Sequence, residues 1–438
     1  MPRASSVLVL VAALMLPASA LGNGQSTHVW ITLQALERLP PGPVRDLLGR
    51  PELRDIVMNG AMFPDWGYAP GGSRDHGEAA HWEPFQQEYR RWIQETWTAP
   101  YTDAVAAEQV AFLFGMASHG MADEHFDSLF MERSRLYDAG WNDPDGASLD
   151  TASDVLFMAA VGGIPQPERW LPTEALTEVY ARAMPDLPLD PDAMEFGHRM
   201  LHVAIGAVEE LRQNQERVDV FTAAYPWTAE QLTNEAMPGS PPDEAEAVVA
   251  YWLDLWERLQ GTPGYSQPVL MMRPAAGSFE HPLDHLMPES RVHLAFARGV
   301  LDTSLASVRV ATGDGEEVPV DVGLFYGNAS HALLARPTND WEPDTDYVIT
   351  VDAGLQSYDG DVFEGSWSGA FSTKAPPPEP PPSDDPPPTE VPPAGCGASL
   401  SPAAPAPLLL LLFTASAATR WRRRRPGDAC VAPGGPRP

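Results

Sequence analysis

Apolar residues recur at helical spacing through the first half of the chain. Val29, Leu33, Leu36 and Leu39 share a face, Val110, Leu113, Phe114, Ala117 and Met121 share another, and Met200, Val203, Ala204, Ala207, Val208 and Leu211 repeat the pattern. Pro40-Pro41-Gly42-Pro43 and Pro238-Gly239-Ser240-Pro241-Pro242 interrupt it. The spacing predicts a mainly α-helical domain over residues 23–265. After Pro268 the period becomes two: Val292, Leu294 and Phe296; Val308 and Val310; Val318, Val320 and Val322; Tyr347, Ile349 and Val351; Trp367, Gly369 and Phe371. Turn signals such as Thr312-Gly313-Asp314-Gly315 separate these runs, and a stretch of about a hundred residues is the size of an all-β sandwich, here 268–374.

Composition adds an extended part to these two folded ones. The chain has 438 residues, 44% of them hydrophobic, with 47 prolines and 35 glycines, more than globular segments use. Lys and Arg number 28 against 60 Asp and Glu, a net charge of −32 that argues against broad electrostatic capture of nucleic acid, so no specific nucleic-acid partner is expected. Only Cys396 and Cys430 occur, so no disulfide framework holds the folded part.

Both ends read as addresses. Arg3, the apolar run Val7 to Leu16 and Ala18-Ser19-Ala20 form a secretory signal over residues 1–22, with maturation expected near Leu21 or Asn23. Residues 375–394 are almost all proline and acid, a polyproline linker. Residues 395–438 hold Cys396, an apolar stretch centred on Leu408 to Phe413 and the run Arg422-Arg423-Arg424-Arg425, a stop-transfer pattern expected to tether an exported protein at the cell surface. This tail resembles the C-terminal sorting signals of myxobacterial surface proteins, and the β region resembles bacterial Ig-like domains, which implies a spacer or adhesion unit without chemistry.

Seven of the eleven histidines fall in the helical region. His119 and Asp123 are four apart on one apolar helix, so both project over the same face and can converge on a cation. Burying that pair is costly unless a metal or close partner compensates. Thr27-His28, Phe63-Pro64-Asp65-Trp66 and Ala80-His81-Trp82-Glu83 are further candidates. Trp30, Trp66, Tyr68 and Trp82 adjoin them and suggest an aromatic rim, whereas His76, in a glycine-rich stretch, reads as solvated. His198 and His202 share a face that suits a site or a core equally.

Taken in order, Ser26-Thr27-His28-Val29-Trp30-Ile31, Asp65, His81-Trp82 and His119-x-x-x-Asp123 resemble the zinc-dependent phospholipase C family, and within it the glycosylphosphatidylinositol-specific phospholipase D branch. The resemblance covers most of residues 24 to about 220. It implies that Asp65, His81 and His119 hold one zinc, that Asp123 bridges to a second held by His28, and that metal-activated water, oriented by Asp65, cleaves a phospholipid or glycolipid phosphodiester at a membrane surface. The site would take two or three Zn2+ ions. The N-terminal amine that some members use as a ligand lies farther upstream of the histidine than Leu21, so that ligand stays open. At the third ion's place the family's imidazoles are replaced: Asp127 and Asp150 stand there, with Gly146 where a histidine is expected. Carboxylates suit harder cations, and His125, His198 or His202 are possible substitutes. A zinc nuclease on single-stranded nucleic acid and a catalytically silent surface protein are the alternatives.

Overall fold

The computed structural model describes residues 23–373 apart from 140–146, 263, 275–277 and 280–284. The leader, the linker, the C-terminal tail with both cysteines, Gly146 and His281 lie outside the described residues. Helices fill the chain from Gln25 to Leu259, and strands β1 (Val269–Arg273), β2 (Ser278–Phe279), β3 (Val292–Val300), β4 (Val308–Thr312), β5 (Glu317–Val318), β6 (Val320–Leu324), β7 (Ser330–Pro337), β8 (Asp346–Val351) and β9 (Trp367–Thr373) follow. The expected order, a helical domain and then a β-sandwich, is the one observed. Among the described residues no helix is long and apolar enough to cross a membrane.

The helical core is organised around Ala104–His125, 22 residues long and buried almost throughout from Ala106 onward. Asp103 starts it by accepting hydrogen bonds from the amides of Val105 (3.0 Å) and Ala106 (3.2 Å). Beyond His125 the chain continues as a wider π-helical segment, Phe126–Met131. Helix Arg54–Met62 crosses it at a glycine pair: a Cβ on Gly115 would lie 2.1 Å from the Val57 carbonyl oxygen, and one on Gly60 2.3 Å from that of Phe112. This close approach sets Asp65, three residues past the end of Arg54–Met62, beside His119.

The sandwich has sheets ordered β1-β3-β7-β6 and β2-β9-β8-β4-β5, antiparallel except for the β2–β9 pair. Val292, Leu294 and Phe296 of β3 enter its core with Tyr347, Ile349 and Phe371. All nine positions of β3 are nevertheless buried. The alternate face meets the helical domain at His293, which lies 3.1 Å from the Ser128 hydroxyl, and the main-chain carbonyl of Ala297 receives Arg258. One face of the β1-β3-β7-β6 sheet thus packs against the helices.

A buried polar network ties the two parts. The Glu83 carboxylate accepts from Arg258 (2.6 Å), Tyr251 (2.7 Å) and His331 of β7 (3.1 Å). Glu124 accepts from the Ser330 hydroxyl (2.5 Å) and from the amides of His331 (2.7 Å) and Ala332 (2.8 Å).

Candidate metal centre

His28 sits in the first turn of helix Gln25–Arg38, whose start is capped across the domain. Asp154 accepts from the amides of Ser26 (3.2 Å) and Thr27 (2.8 Å) and from the Thr27 hydroxyl (2.8 Å). Asp65 lies in the 3-10 turn Phe63–Tyr68, and His81 is the last residue of helix Arg74–His81 rather than the opening of the next. His119 and Asp123 come from Ala104–His125, with Gly120 between them. A Cβ on Gly120 would lie 2.1 Å from the His81 carbonyl oxygen, so only glycine lets the His81 backbone reach the helix at the level of its two ligand residues.

These five residues converge. The Nε2 atoms of His28 and His119 lie 3.0 and 3.2 Å from different oxygens of Asp123, and His81 Nε2 is 3.1 Å from Asp65 and 3.6 Å from Asp123. Two sets, His28/His119/Asp123 and Asp65/His81/His119, each bring their ligand atoms within 4.8 Å of one another. Asp123 faces both, in keeping with a bridging carboxylate. The rings are aimed from behind, since His81 Nδ1 bonds the Gly77 carbonyl (2.8 Å) and His119 Nδ1 that of Ala61 (2.6 Å), leaving both Nε2 atoms for the cluster.

The electrostatics are those of a site made for a cation. Burial alone would raise the Asp123 carboxyl, but His28 and His119 drive it far below the usual carboxylate range. Burial, with His28 next to it, pulls His119 down, while His81, despite a burial cost, is pushed up to about 9 by its bond to Asp65. The His28 and His119 rings stack at 3.6 Å, and the Nε2 atoms of both are buried without a partner of hydrogen-bond geometry. Converging lone pairs left unsatisfied in this way fit a divalent ion bound by imidazole and carboxylate, the donor set zinc prefers.

Asp127 and Asp150 lie beside this cluster without belonging to either converging set. Burial, and then the charge of Asp123 for one and of Asp127 and Asp123 for the other, raises both well above the ordinary range. The suggested substitutes do not join them. His125 projects toward the sandwich, its ring 5.1 Å from His293, and burial pushes it down to about 4. His202 bonds the Asn59 side chain (3.0 Å), and His198 packs against it at 5.1 Å. His198 is buried in the core, and His202 is half-buried beside it.

Other expectations also need correction. Trp66 is fully buried and bonds the Tyr180 hydroxyl (3.0 Å), and Trp30 meets Phe157 edge-on, so neither forms a rim. Tyr68 and Trp82 remain half-exposed next to His81, both donating to Glu78. His76 is buried between the Ser73 hydroxyl and the Leu187 carbonyl, not solvated.

Four residues in or beside the site were not legible as such. The Asn23 amide donates to Asp123 (3.1 Å), its side chain donates to Glu244 (2.6 Å), Gln25 donates to Asp65, and Tyr326 of the sandwich donates to Asp127. Glu244 looks in the sequence like an ordinary acidic residue of a helix first turn, and nothing marks it as buried.

Fold and geometry together define a helical domain whose core brings two sets of His and Asp ligand atoms together. Residues 27–125, which include all five converging residues, match the family described as zinc dependent phospholipase C. Over 174 residues it is 34% identical to the phosphatidylinositol-glycan-specific phospholipase D of Homo sapiens, covering 36% of this chain and 20% of that protein. The Dictyostelium discoideum protein of the same description is 38% identical over 76 residues, 17% of this chain and 8% of that one. The chain thus matches about a fifth or less of the length of these relatives. A solved S-layer protein, SbsC, aligns with a TM-score of 0.20 at 8% identity over 67% of this chain and 46% of that one, a similarity that carries no argument.

Proposed function

We propose that the helical domain hydrolyses the phosphodiester head group of a phospholipid or glycosylinositol-phospholipid. One observation carries this reading: two overlapping sets of buried ligand atoms, sharing His119 and both faced by Asp123, in the segment that matches the family. Zinc held by these residues would acidify a water and polarise the phosphodiester oxygens, supplying both the nucleophile and charge stabilisation. The chain's own residues set the stage. Gln25 ties one oxygen of Asp65, leaving the other toward His81, which suits Asp65 to orient a water or accept its proton. The main-chain carbonyls of Gly77 and Ala61 keep both imidazoles aimed. Because ions rather than surface lysines would hold the phosphate, the chain's negative charge does not oppose binding.

The Asn23 nitrogen stands on Asp123, so cleavage of the leader before Asn23 would place a free amine beside His28 as a further ligand. Asp127 and Asp150 would serve a third ion. The same reading takes the protein as exported and held at the surface through its C-terminal segment, which rests on the sequence of the two ends.

The test is turnover of phosphatidylcholine, phosphatidylinositol and a glycosylinositol-phospholipid by zinc-loaded full chain, with products identified. Diacylglycerol would indicate C-type cleavage and phosphatidate D-type, both abolished by chelator. Activity on single-stranded DNA alone, or none at all, would contradict the proposal.

A further inference from the structure

The hairpin β6–β7 is fixed on the helix that carries His119 and Asp123. Its turn, Phe325 to Ala329, uses left-handed backbone at Gly327 (φ 84°) and Ala329 (φ 73°), and the Ala329 amide bonds the Val300 carbonyl (2.8 Å). Just past the turn, Ser330, His331 and Ala332 place three donors on Glu124, the neighbour of Asp123. A carboxylate held by three donors from one strand leaves the hairpin little freedom to slide. Tyr326 is thereby brought to the edge of the cluster. Its phenol donates to Asp127, which lies four residues beyond Asp123 on the same helical face. Its ring lies 4.4 Å from that of Trp82, which is itself 5.5 Å from that of His81.

Asp127 needs such a donor. It is buried beside Asp123 and Asp150, and its other oxygen, Oδ1, has no partner. The hydrogen bond from the phenol to the second oxygen fixes which way the carboxyl group points.

We propose that Tyr326, although carried by the β-sandwich, is a positioning residue of the phosphodiesterase site, acting through Asp127, so that the working site is built by both domains. This rests on the hydrolytic reading above. It also gives the buried interface a reason to exist, since a tethering spacer would not need to reach the ligand cluster.

The experiment uses full-length zinc-loaded protein, dihexanoyl phosphatidylcholine as substrate and inorganic phosphate as a calorimetric probe. Tyr326→Phe removes only the hydroxyl and should lower kcat/KM about 10-fold, as for a lost buried hydrogen bond, with unchanged zinc content and folding. In an Asp127→Asn background, where the carboxyl group to be oriented is gone, the same change should cost less than about 2-fold. Arg291→Ala, which cuts a sandwich ion pair to Glu132 outside the cluster, should leave turnover within about 2-fold. Tyr326→Phe matching wild type, losing no more than Arg291→Ala, or losing as much with Asp127→Asn as without it, would overturn the proposal. If wild type binds phosphate without hydrolysing lipid, the hydrolytic reading fails alone, and phosphate affinity judges Tyr326: weaker binding in Tyr326→Phe supports it, and equal binding overturns it. Wild type that does neither overturns both.

Discussion

Two buried polar clusters flank the helix Ala104–His125, and they are built to opposite ends. At the domain interface, Glu83 has Arg258, Tyr251 and His331, and Glu124 has Ser330 and two backbone amides, so each carboxylate is matched by donors from its own chain. In the candidate metal centre, the Nε2 atoms of His28 and His119 face Asp123 at hydrogen-bond distance without hydrogen-bond geometry, and the buried oxygens Asp127 Oδ1, Asp150 Oδ1 and Glu244 Oε1 have no partner. Burial of polar groups is common to both clusters. What separates them is how far their carboxylates are matched, and buried carboxylate and imidazole atoms left unmatched together at this depth point to something from outside the chain.

Perturbing each cluster should sharpen that contrast. His119→Ala removes a group shared by both ligand sets and should cut lipid turnover at least about 1000-fold, about 4 kcal/mol of transition-state stabilisation, read in steady-state assays. Arg258→Ala strands Glu83 in the interface and should destabilise the fold by about 3–5 kcal/mol in denaturant unfolding. Gly120→Ala drives a methyl into the His81 carbonyl and should cost about 3 kcal/mol while loosening metal binding, measured by unfolding and zinc titration. The smallest effect is in pH. Burial would raise the Glu83 carboxyl, but Arg258 and His331 hold it well below its ordinary value of 4.5. Its contribution is therefore present above about pH 4.5 and lost as pH falls below that, toward its folded value. The melting temperature of wild type should drop more steeply below pH 4.5 than that of Glu83→Gln.

The helical domain and five site residues could be read from the sequence because both leave periodic or ordered traces. His119 and Asp123 lie four apart on a helix with hardly a polar residue from Val110 to Ala117, and His28, Asp65 and His81 precede them in the family's order. The sandwich was legible from alternation in Val292, Leu294 and Phe296. Its docking was not, since His293 and Ala295 on the other face look like positions open to water. Tyr326 and Glu244 reach the site only through tertiary packing, 199 residues from Asp127 in the first case, so no local spacing announces them. His76 misled for a related reason: its burial comes from Leu187, far along the chain. Trp66 misled because a residue beside a ligand can as easily face the core.

The account stands most directly on how many ions the five residues hold. Full-length protein purified with zinc, dialysed and measured by inductively coupled plasma mass spectrometry should carry at least two zinc ions per chain, and Asp123→Asn, which removes the shared carboxylate, should retain at most one. Wild type that retains no zinc, or a variant that keeps as much as wild type, would contradict it.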